Sequence, residues 1–153
     1  MPDPDRGVQQ QDDRDGPPAR SRLNQNLGRV LVFVYGVMAL SATGRSSVQL
    51  STKFSEAPVA YALSGLAAVV YILATWGLAT ERRRVAWVAV TIEMVGVLAV
   101  GTTSVFLAQD YADATVWSDY GDGYGWVPLV LPMLGLWWLW HTRPRDRDAP
   151  AAE

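Results

Sequence analysis

Four apolar runs separated by short polar segments organise the middle of this chain. The hydrocarbon core of a bilayer is about 30 Å thick, so a helix that crosses it needs roughly 20 mostly apolar residues. The second and third runs, 57–80 and 85–109, meet that length, and Glu93 carries the only charge in either of them. The pattern predicts an all-α membrane protein, a four-transmembrane-helix bundle, with helices at about 29–46, 57–80, 85–109 and 124–141.

The first and last runs are less regular than the middle two. The first covers residues 30–44 and is bounded by Arg29 and Arg45. It spans a bilayer if these two side chains extend toward opposite interfaces, and the alternative is an amphipathic or re-entrant segment. In the last run, Pro132 removes a backbone hydrogen bond, which predicts a kink in the fourth helix.

The two ends of the chain differ in composition from the apolar middle. Residues 1–28 are rich in Pro, Asp, Arg and Gln and have almost no large aliphatic side chains, and residues 143–153 resemble them. Such segments bury too little apolar surface to offset the entropy of ordering them. We therefore predict disordered tails at 1–28 and 143–153, on either side of a transmembrane domain at 29–142.

The distribution of basic residues predicts the orientation of the bundle. With four spans, all of the 13 Lys and Arg residues except Arg45 and Lys53 lie on the side of the two termini. Positive charge favours the cytoplasmic side of a membrane, so both termini are predicted to be cytoplasmic. Because tryptophans collect at the two interfaces, Trp117 and Trp126 are predicted to mark the outer boundary.

Composition removes several classes of function. A net charge of −2 leaves no basic surface for phosphates, so no nucleic-acid partner is expected. The chain has no cysteine and a single histidine, His141, which argues against thiolate chemistry and against multi-histidine metal or haem centres. No nucleophile–base pair is visible, so we predict neither an enzyme nor a cofactor. The expected partners are the lipid bilayer and other membrane proteins or a second copy.

Glu93 is the first candidate functional residue because a charge inside the hydrocarbon region costs at least about 2.5 kcal/mol. It shares its helix face with small residues such as Gly96, which indicates that it points into the bundle. The candidate partners at similar depth are Tyr35, Tyr71, Thr75 and His141. Two interpretations remain open, a proton or cation site, or a neutral carboxyl group that fixes helix register.

The second candidate is the loop between the third and fourth runs. It contains Asp110, Asp113, Asp119 and Asp122 and no basic residue. Carboxylates suit hard cations, but their spacing matches no calcium loop, so we predict a solvated loop without a bound metal. Arg45 and Lys53 in the preceding outer loop have the opposite charge, which suggests that the two loops pair as a lid.

Two stretches, "SSVQLSTKFSEAPVAYALSGLAAVVY" and "ATVWSDYGDGYGWVPLVLPMLGLWWL", resemble a group of small actinobacterial integral membrane proteins with four predicted spans. The resemblance covers roughly residues 29–143. It implies a bacterial inner-membrane location and supplies no catalytic residues. The sequence favours a non-enzymatic accessory or scaffold protein of the bacterial cell membrane, and the alternative is a small proton- or cation-coupled transporter or channel that uses Glu93.

Overall fold

A computed structural model describes residues 19–52, 54–106 and 114–142 of the chain. These residues form helices and contain no β-strand. Four α-helices and one 3₁₀ segment follow one another along the described chain: α1 Ala19–Thr52, α2 Pro58–Ala79, α3 Arg83–Phe106, the 3₁₀ segment Ser118–Tyr124, and α4 Val127–His141. The predicted all-helical class is therefore confirmed for the described residues.

Helices α1, α2 and α3 are each long and apolar enough to cross a membrane. Many large apolar side chains on the outside of the bundle are exposed, among them Phe33 at 71% and Val95 at 61%, as lipid-facing surfaces require. Helix α4 is equally apolar but has only 15 residues. At 1.5 Å per residue it is about 22 Å long, which is shorter than a bilayer core.

Helix α1 is longer than its apolar run. Its 34 residues begin at Ala19, inside the segment predicted to be disordered, and they extend for about 51 Å. Contacts with α4 explain the early start: the indole of Trp138 donates from Nε1 to the carbonyl oxygen of Asn24 at 3.0 Å. The ring also lies so close to Gly28 that a Cβ there would be 2.8 Å from Trp138 Cζ2. Tertiary packing thus makes this polar sequence helical.

The turn between α2 and α3 lies at one end of the bundle. This end contains Arg82, Arg83 and Arg84, and we call it the arginine-rich end. Arg83 connects α3 to the end of α4, because its guanidinium donates to the carbonyl oxygen of Thr142 at 2.8 Å and to that of Leu139. Last-turn carbonyls have no partner within their own helix, so Arg83 caps α4.

Residues 114–126, which precede α4 and include the 3₁₀ segment, form an irregular segment. We call the end of the bundle where this segment lies the 3₁₀ end. Its backbone has positive φ at two non-glycine residues in succession, Asp119 at 51° and Tyr120 at 58°. Side-chain hydroxyls satisfy its amides: Thr115 Oγ1 accepts from the N–H of Trp117 at 3.1 Å, and Ser104 Oγ accepts from that of Asp119 at 2.8 Å. Non-helical backbone is tolerated inside a membrane protein when its polar groups are satisfied in this way.

Candidate functional site

The centre of the bundle contains a cluster of four polar or amphipathic side chains. Glu93 on α3, Tyr35 on α1 and Tyr71 on α2 are each 0% exposed, and Trp117, just before the 3₁₀ segment, is 2% exposed. The cluster therefore draws one side chain from each of the first three helices and one from the irregular segment. We call these four residues the Glu93 cluster.

A short hydrogen bond joins α1 to α3 within this cluster. The hydroxyl of Tyr35 donates to Glu93 Oε2 at 2.7 Å, and both groups are buried. Helix α4 packs against the same point through Gly135, where a Cβ would lie 3.3 Å from the Tyr35 hydroxyl oxygen. Of the four partners that the sequence offered for Glu93, the structure places Tyr35 in contact with it.

A second hydrogen bond joins α2 to the irregular segment. The indole Nε1 of Trp117 donates to the hydroxyl oxygen of Tyr71 at 3.3 Å. Its six-membered ring lies over Gly96, where a Cβ would be only 2.5 Å from Trp117 Cζ3. Trp117 is thus enclosed by the bundle, next to a glycine near the middle of α3. Trp126, which is 50% exposed, is at the surface.

The other two candidate partners lie elsewhere. Thr75 Oγ1 donates to the backbone carbonyl of Tyr71 at 2.7 Å, one helical turn back. The imidazole of His141 is exposed and lies beside its own helix, with Nδ1 3.1 Å from the carbonyl oxygen of Trp137. Neither side chain contributes to the Glu93 cluster.

One oxygen of Glu93 is left without a partner. Oε1 is buried and accepts no hydrogen bond from any described residue. Within the described ranges, Glu93 also forms no ion pair, since its single polar contact is with Tyr35. The Tyr71 hydroxyl accepts from Trp117, and no described group accepts its own proton. The site thus has a spare acceptor and a spare donor on neighbouring helices.

The surroundings of the cluster are asymmetric. Toward the arginine-rich end, the next helical positions are the buried apolar residues Leu31, Val90 and Leu139. Toward the 3₁₀ end, three further buried oxygens have no partner among the described residues: Ser46 Oγ, Gln49 Oε1 and Ser64 Oγ. These three oxygens lie on the side of the Glu93 cluster that faces the 3₁₀ end, beyond buried apolar residues such as Met38 and Val97.

The acidic loop does not assemble into a site in the described part of the chain. Asp119 and Asp122 are both exposed, whereas Asp110 and Asp113 lie outside the described residues. Residues 19–52, 54–106 and 114–142 contain no group of three His, Cys, Asp or Glu residues that could hold a metal ion.

Arg45 does contact this loop, although through other groups than the predicted carboxylates. Its guanidinium donates from Nη2 to the carbonyl oxygen of Ala114 at 2.6 Å and from Nη1 to the Tyr124 hydroxyl at 3.5 Å. Arg45 thus connects α1 to the chain before the 3₁₀ segment and to the last residue of that segment. Lys53, the other predicted member of this lid, lies outside the described residues.

Comparison with protein-family models, curated proteins and solved structures finds no match for this chain. Its candidate site therefore depends on the geometry alone. Sequence reasoning identified Glu93, Tyr35 and Tyr71 as a candidate set, and it missed Trp117. The available signal for Trp117 was Gly96, one turn from Glu93 on α3, which leaves room for an aromatic ring.

Proposed function

We propose that this chain is an integral, multi-pass protein of the bacterial inner membrane, with both termini in the cytoplasm. Three helices suited to crossing a membrane support the membrane location. In the proposed topology α4 and the 3₁₀ segment together make the fourth crossing, which puts the arginine-rich end on the cytoplasmic side. The bias in basic residues and the resemblance to small actinobacterial membrane proteins support this orientation.

Within that membrane protein, we propose that Glu93 is the proton-binding group of a small transporter. The supporting observation is the Glu93 carboxyl group, which is fully buried, has an unpartnered Oε1 and has no cationic neighbour among the described residues. A buried carboxylate needs a compensating positive charge, and here a bound proton or a bound cation has to supply it. This observation puts transport ahead of the accessory role that the sequence alone favoured.

A proton fits the site better than a metal ion. Hard cations take six or more oxygen ligands, or keep several waters. Glu93 Oε1 is the one acceptor in the cluster that lacks a partner, and the Tyr35 hydroxyl already uses its proton on Oε2. A single proton on Oε1 would neutralise the carboxyl group without any further ligand.

Proton flux in liposomes tests this function. The protein is reconstituted with a pH-sensitive dye inside, a gradient is imposed, and wild type is compared with Glu93→Gln and with empty vesicles. Glu56→Gln is the matched control, because it makes the same chemical change at an exposed glutamate. We expect wild type and Glu56→Gln to dissipate the gradient and Glu93→Gln to match empty vesicles. Equal flux with and without the Glu93 carboxyl group would rule out the proposal.

The route of the proton is tested separately. The unpartnered oxygens of Ser46, Gln49 and Ser64 favour exchange through the 3₁₀ end. Ser64→Ala should then slow the flux, whereas Ser51→Ala, at an exposed serine of α1, should not. Unchanged flux in Ser64→Ala would remove this route while leaving the role of Glu93 intact.

The second candidate is a non-enzymatic accessory or scaffold protein, in which Glu93 has a purely structural role. It is favoured by the complete enclosure of Glu93, Tyr35 and Tyr71, each 0% exposed. In that case the Tyr35–Glu93 hydrogen bond joins α1 to α3, and the protein acts through its surface on other membrane proteins. Vesicles containing wild type would then hold the gradient as well as empty ones, and cross-linking to native neighbours becomes the next experiment.

A further inference from the structure

A crevice at the arginine-rich end of the bundle lies apart from the Glu93 cluster. It has a volume of about 520 Å³ and lies between α1, the end of α2 and the last turns of α4. Helix α1 lines it with Gln25, Gly28, Arg29 and Val32. Their spacing of i, i+3, i+4 and i+7 puts all four on one helix face. Two of these residues, Gln25 and Gly28, belong to the segment 1–28 that the composition predicted to be disordered.

Two opposite charges line this crevice. Arg29 belongs to α1, and Glu81 belongs to the turn between α2 and α3, where its φ is 55°. Both residues are exposed, and among the described residues neither side chain pairs with the other or bonds to a third group. Arg83 nearby differs, because the end of α4 occupies its guanidinium. Arg29 and Glu81 are thus both available to a ligand.

The rest of the lining is apolar or aromatic. Val32, Leu78 and Ala79 contribute aliphatic surface, and Trp138 contributes its ring while its Nε1 is bonded to α1. Leu78 and Ala79 belong to the last turn of α2, just before the charged turn that begins with Glu81. In the proposed membrane placement, the last turn of α2 lies where the hydrocarbon region meets the lipid headgroups. A ligand for the crevice therefore has an apolar part and carries both a negative and a positive group.

We propose that this crevice binds the headgroup of a phosphatidylethanolamine molecule in the cytoplasmic leaflet. Arg29 donates to the phosphate, as guanidinium groups commonly do, and Gln25 offers its amide to a remaining phosphate oxygen. Glu81 accepts from the primary ammonium group. The proposal depends on the membrane placement given above but not on the role of Glu93.

Binding of defined lipids to the full-length protein in detergent micelles tests the proposal. Short-chain phosphatidylethanolamine, phosphatidylglycerol and phosphatidylcholine are titrated, and binding is followed by native mass spectrometry. Phosphatidylglycerol keeps the phosphate and lacks the ammonium group, whereas the choline nitrogen has no N–H to donate. Neither lipid has a charged N–H donor for Glu81, so we expect both to bind roughly 10-fold more weakly than phosphatidylethanolamine.

Two variants separate the two halves of the headgroup. Glu81→Gln should abolish the preference for phosphatidylethanolamine over phosphatidylglycerol, because it removes the charge that recognises the ammonium group. Arg29→Gln should weaken all three lipids by roughly 10-fold, because it removes the phosphate ligand. Arg84→Gln and Glu56→Gln change exposed charges outside the crevice and should bind as wild type does.

Three results would overturn the proposal. Equal binding of phosphatidylethanolamine and phosphatidylglycerol would contradict the role of Glu81, and unchanged binding by Arg29→Gln would contradict that of Arg29. Free phosphoethanolamine that binds as tightly as the lipid would show that the ligand is a soluble zwitterion. Glu93→Gln in the same titration should bind lipid normally, so a failure of the transport proposal is distinguishable from a failure of this one.

Discussion

The contact between Trp117 and Gly96 provides the most stringent test of the packing described here. A Cβ at position 96 would lie 2.5 Å from Trp117 Cζ3 and 2.8 Å from both Cε3 and Cη2. Real Cβ atoms essentially never approach other atoms this closely, so Gly96→Ala has to displace the indole ring. The ring is only 2% exposed and is bonded to Tyr71. It therefore has little room to move without breaking other contacts.

The expected cost of Gly96→Ala is the balance of three effects. Alanine is a better helix former than glycine by about 1 kcal/mol, which favours the variant. Overpacking a close-packed core costs roughly 1–3 kcal/mol, and loss of the Trp117–Tyr71 hydrogen bond costs about 1 kcal/mol. We therefore expect the free energy of unfolding to fall by about 2 kcal/mol, with the packing effects outweighing helix propensity.

Unfolding in detergent micelles with increasing sodium dodecyl sulfate, followed by helical circular dichroism, measures this change. Gly44→Ala is the matched control, because no atom lies within 4 Å of its added Cβ. That variant should be as stable as wild type or more stable. In a Trp117→Ala background the obstacle is absent, so Gly96→Ala should become neutral or stabilising. A Gly96→Ala protein as stable as wild type, with normal Gly44→Ala behaviour, would refute the packing argument.

Three further predictions concern single contacts. Tyr35→Phe leaves both oxygens of Glu93 without a partner and should lower the free energy of unfolding by about 1–3 kcal/mol in the same assay. Arg45→Glu removes the hydrogen bond to the carbonyl oxygen of Ala114, so proteases should cleave the loops at the 3₁₀ end several-fold faster. Arg83→Gln removes the cap of α4 and should destabilise the bundle by about 1–2 kcal/mol.

Each of these has its own check. Unchanged stability in Tyr35→Phe would mean that Glu93 does not rely on this bond. Unchanged cleavage in Arg45→Glu would remove the idea that α1 holds the irregular segment in place. For the last variant, Arg84→Gln is the control, since it removes the next guanidinium along the chain at an exposed position. Equal stabilities of the two arginine variants would contradict the capping role.

The irregular segment before α4 separates this bundle from a regular arrangement of four continuous helices. Several of its amides donate to the side-chain hydroxyls of Thr115, Ser118 and Ser104. Positive φ at Asp119 and Tyr120 is unfavourable for residues with a side chain, so surrounding contacts have to stabilise it. The same segment supplies Trp117 to the Glu93 cluster, and backbone strain of this kind often accompanies functional sites.

The apolar runs by themselves predicted the helical class, because the length and hydropathy of a segment decide whether it can cross a bilayer as a helix. They also determined that Glu93 points inward, since a carboxyl group on a small-residue face has to avoid lipid. The start of α1 at Ala19 was not predictable from those local properties. The segment is polar, and it is helical because Trp138, more than a hundred positions away in the chain, packs on Gly28 and bonds to Asn24.

The same distinction applies to the site. The sequence supplied Glu93 and several hydroxyl groups at similar depth, but depth alone did not choose among them. Only the tertiary structure shows that Tyr35 donates to Glu93 Oε2, that Trp117 is buried beside Tyr71, and that Oε1 has no partner among the described residues. The physical reason is that the rotation of each helix about its axis is set by packing with its neighbours. Hydropathy measures how strongly a side chain prefers an apolar environment to water, and it does not specify that rotation.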